Sequence, residues 1–139
     1  MSAGASRGLL DTSTLILLGR LRDTAALPQD VSISAITLAE LSVGPLVAAT
    51  SREGAARQAH LQQAEADFDP IPFDAAAARA FGRVAASLRA AGKKPAARAY
   101  DALIAATAIA NGLPLYTCNP SDFIGIDELQ LEAVPHPDH

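Results

Sequence analysis

Residues 98–123 read RAYDALIAATAIANGLPLYTCNPSDF, and the order of elements in this stretch decides the fold class. Around Asp101, the apolar positions Ile104, Ala105, Ala108 and Ile109 recur at the spacing of one buried helical face. Asp101 stands at the tip of that face, near the helix start. An unpaired charge is costly to bury, although the first turn of a helix favours anions. Asn111-Gly112 ends the helix and Pro114 prevents its return. Leu115-Tyr116-Thr117 is a short strand, and Asn119-Pro120-Ser121-Asp122 is a turn. One acid therefore marks a helix start and a second lies just past the carboxyl end of a strand. In open α/β sheets that strand end is the ligand side.

Upstream, residues 1–7 are small and polar and are expected to be loose. Gly8-Leu9-Leu10 is a short strand ending at Asp11. Thr12 or Ser13 then caps a helix running from Thr14 to about Arg22. Val31-Ser32-Ile33 alternates as a strand does, and Ser34 caps a helix from Ala35 to about Val47. On that helix Glu40 shares a face with Ile36, Val43, Gly44 and Val47, the one charge in an apolar stripe. Residues 50–67 form a polar helix that faces solvent or a partner, with His60 read as a surface side chain. FDPIPF, residues 68–73, is a Pro-punctuated extended segment. Asp74 caps an Ala-rich helix to about Ala91, and Gly92 closes it. Residues 129–134 are a last edge strand. The tail, residues 136–139, carries two histidines, for which fraying outweighs metal capture. The alternation of strands and helices implies an α/β fold: an α/β/α sandwich with a mostly parallel central sheet. The expected organisation is a flexible start (1–7), one domain (8–135) and a tail (136–139).

The chain has 139 residues, enough for one domain with a single core. Aromatics are 4% and Trp is absent, so the core is built from Leu, Ile, Val and Ala. A net charge of −4 argues against a protein that holds nucleic acid by a strong positive field. It leaves room for a nuclease whose acids gather at a metal site. The single Cys118 excludes an internal disulfide and fits a reducing compartment. No apolar run reaches a membrane span of about 20 residues, and the start has no hydrophobic signal core. The expected location is the cytoplasm, away from membranes.

Asp11, Glu40, Asp101 and Asp122 thus stand where folding alone does not ask for acids. Right-handed crossovers bring the two strand ends to one side of the sheet. Gathered carboxylates repel, and without a cation one or more must stay protonated. Hard oxygen donors suit Mg²⁺ or Mn²⁺, and the few His and single Cys leave nothing for a zinc cage. Such ions support attack on a phosphodiester.

LLDTS, the ITLAEL segment around Glu40, R-x-x-DALIAATA around Asp101 and LPLYTCNPSDF occur in this order. Together they resemble the PIN-domain ribonucleases, most of all the VapC-like toxins of bacterial toxin–antitoxin pairs. The likeness runs from about Leu9 to Val134. It implies an Mg²⁺- or Mn²⁺-dependent endoribonuclease with Asp11, Glu40, Asp101 and Asp122 as metal-binding acids. It further implies that Thr12 or Ser13 lines the site, that Asn119 orients Asp122 or a water, and that Thr117 supports the same loop. A homodimer, a cognate VapB-like antitoxin that blocks the site, and an RNA substrate such as tRNA or rRNA follow from the same resemblance. Cys118 departs from the pattern, since many relatives carry a basic residue before the Asn. Arg98, Lys93 and Lys94 flank the expected site as RNA contacts, Arg98 being the best placed to pair with a carboxylate or phosphate.

Rival readings have less support. A receiver domain needs paired acids at its first strand and another after a middle strand. An aspartyl phosphatase needs D-x-D, where this chain has Asp11-Thr12-Ser13. No G-x-S-x-G or P-loop is present. The remaining alternative is a catalytically silent PIN fold that binds RNA or protein.

Overall fold

The computed structural model describes residues 6–138. Four parallel strands form the sheet among them: β1 (Arg7–Leu10), β2 (Asp30–Ser32), β3 (Leu115–Thr117) and β4 (Leu131–Ala133), in the order β2-β1-β3-β4. Five longer helices join them: α1 (Thr12–Ile16), α2 (Ala35–Val43), α3 (Ser51–Asp67), α4 (Ala75–Ala90) and α5 (Ala99–Ala110). The chain leaves β1 toward β2, then returns across β1 to β3 on its other side. The strand order therefore switches at the β1–β3 seam, where open α/β sheets form their ligand crevice.

Strand alternation sorts the core between the two faces of the sheet. Leu9 pairs with Leu115, which pairs with Leu131; these pack with Ile104, Ala105 and Ala108 of α5 and with Phe123. One step along, Leu10 and Tyr116 point the other way and pack with Leu21, Cys118 and Val134. The Ala content is used where helices touch: Ala80, Val84 and Leu88 of α4 close onto Ala102 and Ala106 of α5. Ile33, Leu41 and Ala64 seat α2 and α3 together. Gly8 lets β1 and β3 carry Tyr116 between them, since a Cβ there would meet the Tyr116 ring at 2.5 Å. Gly8→Ala is expected to cost about 1–2 kcal/mol through overpacking, read as a lower urea midpoint.

Several boundaries differ from the sequence expectation. Arg7 is not loose: it opens β1 opposite Asp30, and the Ser6 carbonyl accepts the Asp30 N–H at 2.8 Å. The rest of the expected flexible start, residues 1–5, lies outside the described residues, as does His139. Helix α1 starts at Thr12, capped by Asp11 rather than by Thr12 or Ser13, and stops at Ile16 before a 3-10 turn at Leu18–Arg20. Helix α2 stops at Val43, because Gly44-Pro45 tightens the chain into a 3-10 turn. The segment 68–73 contributes only an isolated bridge between Ile71 and Ser34, since Pro70 and Pro72 withhold ladder donors. The sheet consequently has four strands where the sequence suggested five. The turn at 119–122 is a 3-10 helix, Pro120–Phe123, and the last strand is shorter than residues 129–134. No helix among the described residues is long and apolar enough to cross a membrane.

Candidate active site

Asp11 follows β1 directly and is 3% exposed. Its extended backbone makes it the N-cap of α1, so one residue ends a strand and starts a helix. Oδ1 accepts the Thr14 N–H at 3.3 Å, while Oδ2 accepts the Ser13 hydroxyl at 3.1 Å and the Thr117 hydroxyl at 3.0 Å. Burial raises its pKa, and these hydrogen bonds offset the rise only in part. Thr117, fully buried at the end of β3, also accepts the Asn119 N–H at 2.9 Å. The Asn119 side chain donates to Ser13 Oγ at 3.0 Å. It therefore braces Ser13 and, through it, Asp11; toward Asp122 it offers its backbone carbonyl, which accepts the Asp122 N–H at 3.0 Å.

Thr14 and Thr37 escaped the sequence reading. Thr14 Oγ1 accepts the Cys118 N–H at 2.9 Å and so ties α1 to the residue after β3. Cys118 itself is buried beside Leu10, Tyr116 and Val134, and burial pushes its thiol up. Thr14→Val, close in shape, is expected to orphan that N–H and cost about 1–2 kcal/mol in a urea melt. Thr37 is fully buried and lies 3.0 Å from the Thr12 hydroxyl, which donates to Glu40 Oε1 at 2.6 Å. Glu40 is raised by burial first and by the Asp11 charge last, with the Thr12 hydrogen bond opposing.

Asp101 occupies the first turn of α5, and its pKa is pushed up to about 6. Burial is the largest cause; then come the charges of Asp122, Asp11 and Glu40, with Arg98 opposing them. All four acids thus share one electrostatic neighbourhood. Arg98 reaches into it, 2.8 Å from Asp122 Oδ1 and 3.8 Å from Asp101 Oδ2. Lys93 and Lys94 are exposed after α4, and the Lys93 stem lies over Gly125. Among the described residues neither lysine forms an ion pair with the acids.

Hard carboxylate oxygens, with Asp101 raised by the charges of the other three and Glu40 by that of Asp11, are the donor set a divalent cation satisfies. As the side chains stand, no three of them converge to ion-holding distance among the described residues. Asp122 is instead engaged by Arg98.

A family model described as PIN domain matches residues 9–129, which carry all four acids. The chain belongs to the PIN-domain family. This PIN domain is 40% identical over 129 residues to Ribonuclease VapC5 of Mycobacterium tuberculosis, covering 91% of this chain and 93% of that protein. Its fold matches a crystal structure of VapBC-5, a toxin–antitoxin system of the same organism, with TM-score 0.78 and 37% identity, covering 93% of this chain and 98% of that one. It also matches VapBC2 from Rickettsia felis, solved with a DNA fragment from its promoter, with TM-score 0.71 and 26% identity over 92% of this chain and 98% of that one. The expected α/β fold with its parallel sheet is the fold these structures share.

Proposed function

We propose that this PIN domain is a divalent-metal-dependent endoribonuclease acting as the toxin of a toxin–antitoxin pair. The observation that carries the proposal is that Asp11, Glu40 and Asp122 all act electrostatically on Asp101, beside the carboxyl ends of β1 and β3, and push it up to about 6 together with burial. A purely structural role does not account for acids held in a half-buried crevice within reach of one another's charge. The ribonuclease names of the relatives support the same reading over a silent binding module.

Asp11, Glu40, Asp101 and Asp122 would hold Mg²⁺ or Mn²⁺. When bound, such an ion supplies the Lewis acidity that phosphodiester hydrolysis needs. The chain's own residues do the rest. Ser13, Thr14 and Thr117 fix Asp11 in one orientation through three donors. Thr12 does the same for Glu40, so neither acid pays the full cost of ordering when a cation arrives. Arg98, already beside Asp101 and Asp122, is the group to meet an incoming phosphate, and the exposed Lys93 and Lys94 are the further RNA contacts of this proposal. The VapBC matches support a VapB-like antitoxin as partner; the homodimer and the cytoplasm belong to the same proposal.

The test is incubation of purified protein with total tRNA and rRNA fragments, with Mg²⁺ or Mn²⁺ and with EDTA. Defined cuts that need the metal are expected. Absence of cutting on every RNA, with metal binding demonstrated, would overturn the nuclease reading.

A further inference from the structure

The polar helix α3 was left without a role by the sequence, yet it forms one wall of a hollow that opens off the acid site. The hollow holds about 200 Å³. Thr12 and Glu40, both tied into the acid network, line its inner end. Ile16 and Leu41 form an apolar wall from α1 and α2, and Arg57 and His60 face it from α3. Arg57 is held in place: its Nη1 donates to the Gly44 carbonyl at 3.0 Å, and its stem packs over Gly44. Ile16 is 41% exposed, a large apolar side chain kept at the surface beside a catalytic crevice.

We propose that this hollow is the subsite for one unstacked nucleobase of single-stranded RNA, next to the phosphodiester that is cut. The assignment rests on the nuclease reading above. Three observations select this occupant. Ligand pockets for whole small molecules run about 300–1,000 Å³, so this smaller space takes one ring system. RNA is read by splaying bases out against apolar or aromatic side chains and guanidinium planes, which are the two walls present here. The acids repel phosphate, so the strand needs a cation at the Glu40 end, and Arg57 supplies it as Arg98 does at the Asp122 end. A larger hollow of about 410 Å³ continues from Ile16, Leu41 and His60 past Leu18 and Phe68. His60 is the only basic group among its lining residues, so it suits an apolar protein segment and is not part of the assignment.

The experiment is photo-crosslinking of the full chain, in EDTA, to short single-stranded RNA carrying 4-thiouridine, followed by peptide mapping. The same RNA is then offered with Mn²⁺, and the bases flanking the cuts are counted for wild type and His60→Ala. Adducts on Ile16 or on the α3 segment around His60 are expected. Ile16→Glu, which puts a like charge beside the strand from an exposed position, should suppress them. His60→Ala should weaken the base preference at one position beside the cut by about fivefold. Cutting without adducts on either wall, and with the same base preference in His60→Ala, overturns the subsite and leaves the nuclease standing; the hollow then belongs with the larger one, to a protein partner. Neither adducts nor cutting overturns both.

Discussion

Asp101→Asn is expected to lose RNA cleavage by at least about 10²-fold, the lower end of what a positioned acid–base or charge partner contributes. The substitution keeps the shape of the side chain and its place in the first turn of α5. It removes the negative charge on which Asp122, Asp11 and Glu40 all act. A cation shared by this group then loses a full charge of attraction. Folding should survive, because among the described residues no hydrogen bond of the core ends on the Asp101 carboxylate and Arg98 retains Asp122 at 2.8 Å. The measurement is single-turnover cleavage of one RNA by both proteins at saturating Mn²⁺. Retention of activity within about tenfold would remove Asp101 from the reaction.

The same substitution should make the metal-free protein more stable at neutral pH. The folded-state pKa of about 6 lies well above the ordinary aspartate value of 3.8. Between those values the folded state binds more protons than the unfolded state, so stability falls as pH rises from about 4 to 6 and stays lower above that. At 1.36 kcal/mol per unit the ionised Asp101 costs about 2–3 kcal/mol at pH 7.5. Asp11 and Glu40 are raised as well and contribute with the same sign. In EDTA, urea melts should therefore place Asp101→Asn above wild type by about that amount at pH 7.5. The gap should close near pH 4. Saturating Mn²⁺ should narrow the gap at pH 7.5, because a ligand that prefers the folded wild type adds stability by mass action. A wild-type protein equally stable at both pH values, or more stable at 7.5 than the variant, would mean that Asp101 is not strained by its neighbours.

Much of this was legible because the informative signals are local. Asn111-Gly112 with Pro114 fixed the end of α5 and the start of β3, and Ser34 and Asp74 announced their helices. The odd placement of four acids among apolar residues marked the candidate site in the sequence itself. What failed was also physical. Asp11, Thr12 and Ser13 are all good caps in adjacent positions, and only the path of β1 decides that Asp11 is the one used. FDPIPF pairs only at Ile71, whose N–H donates to the Ile33 carbonyl and whose carbonyl accepts the Ala35 N–H, a contact set by a bridge to Ser34, 37 residues distant. The Thr14 hydroxyl reaches a backbone N–H 104 residues away, and nothing in periodicity marks a bond of that kind. His60 is exposed, as its place on a polar helix suggests, but one helix read alone does not show the hollows that α1 and α2 complete beside it.

The central claim is that Asp11, Glu40, Asp101 and Asp122 act as one cation site. The most direct measurement is a calorimetric Mn²⁺ titration of wild type beside Asp11→Asn, Glu40→Gln, Asp101→Asn and Asp122→Asn, each checked for folding by circular dichroism. Saturable binding by wild type is expected, with affinity falling by about tenfold or more in every folded variant. Binding left unchanged by any one of the four substitutions would remove that acid from the site, and binding unchanged by all four would contradict the account.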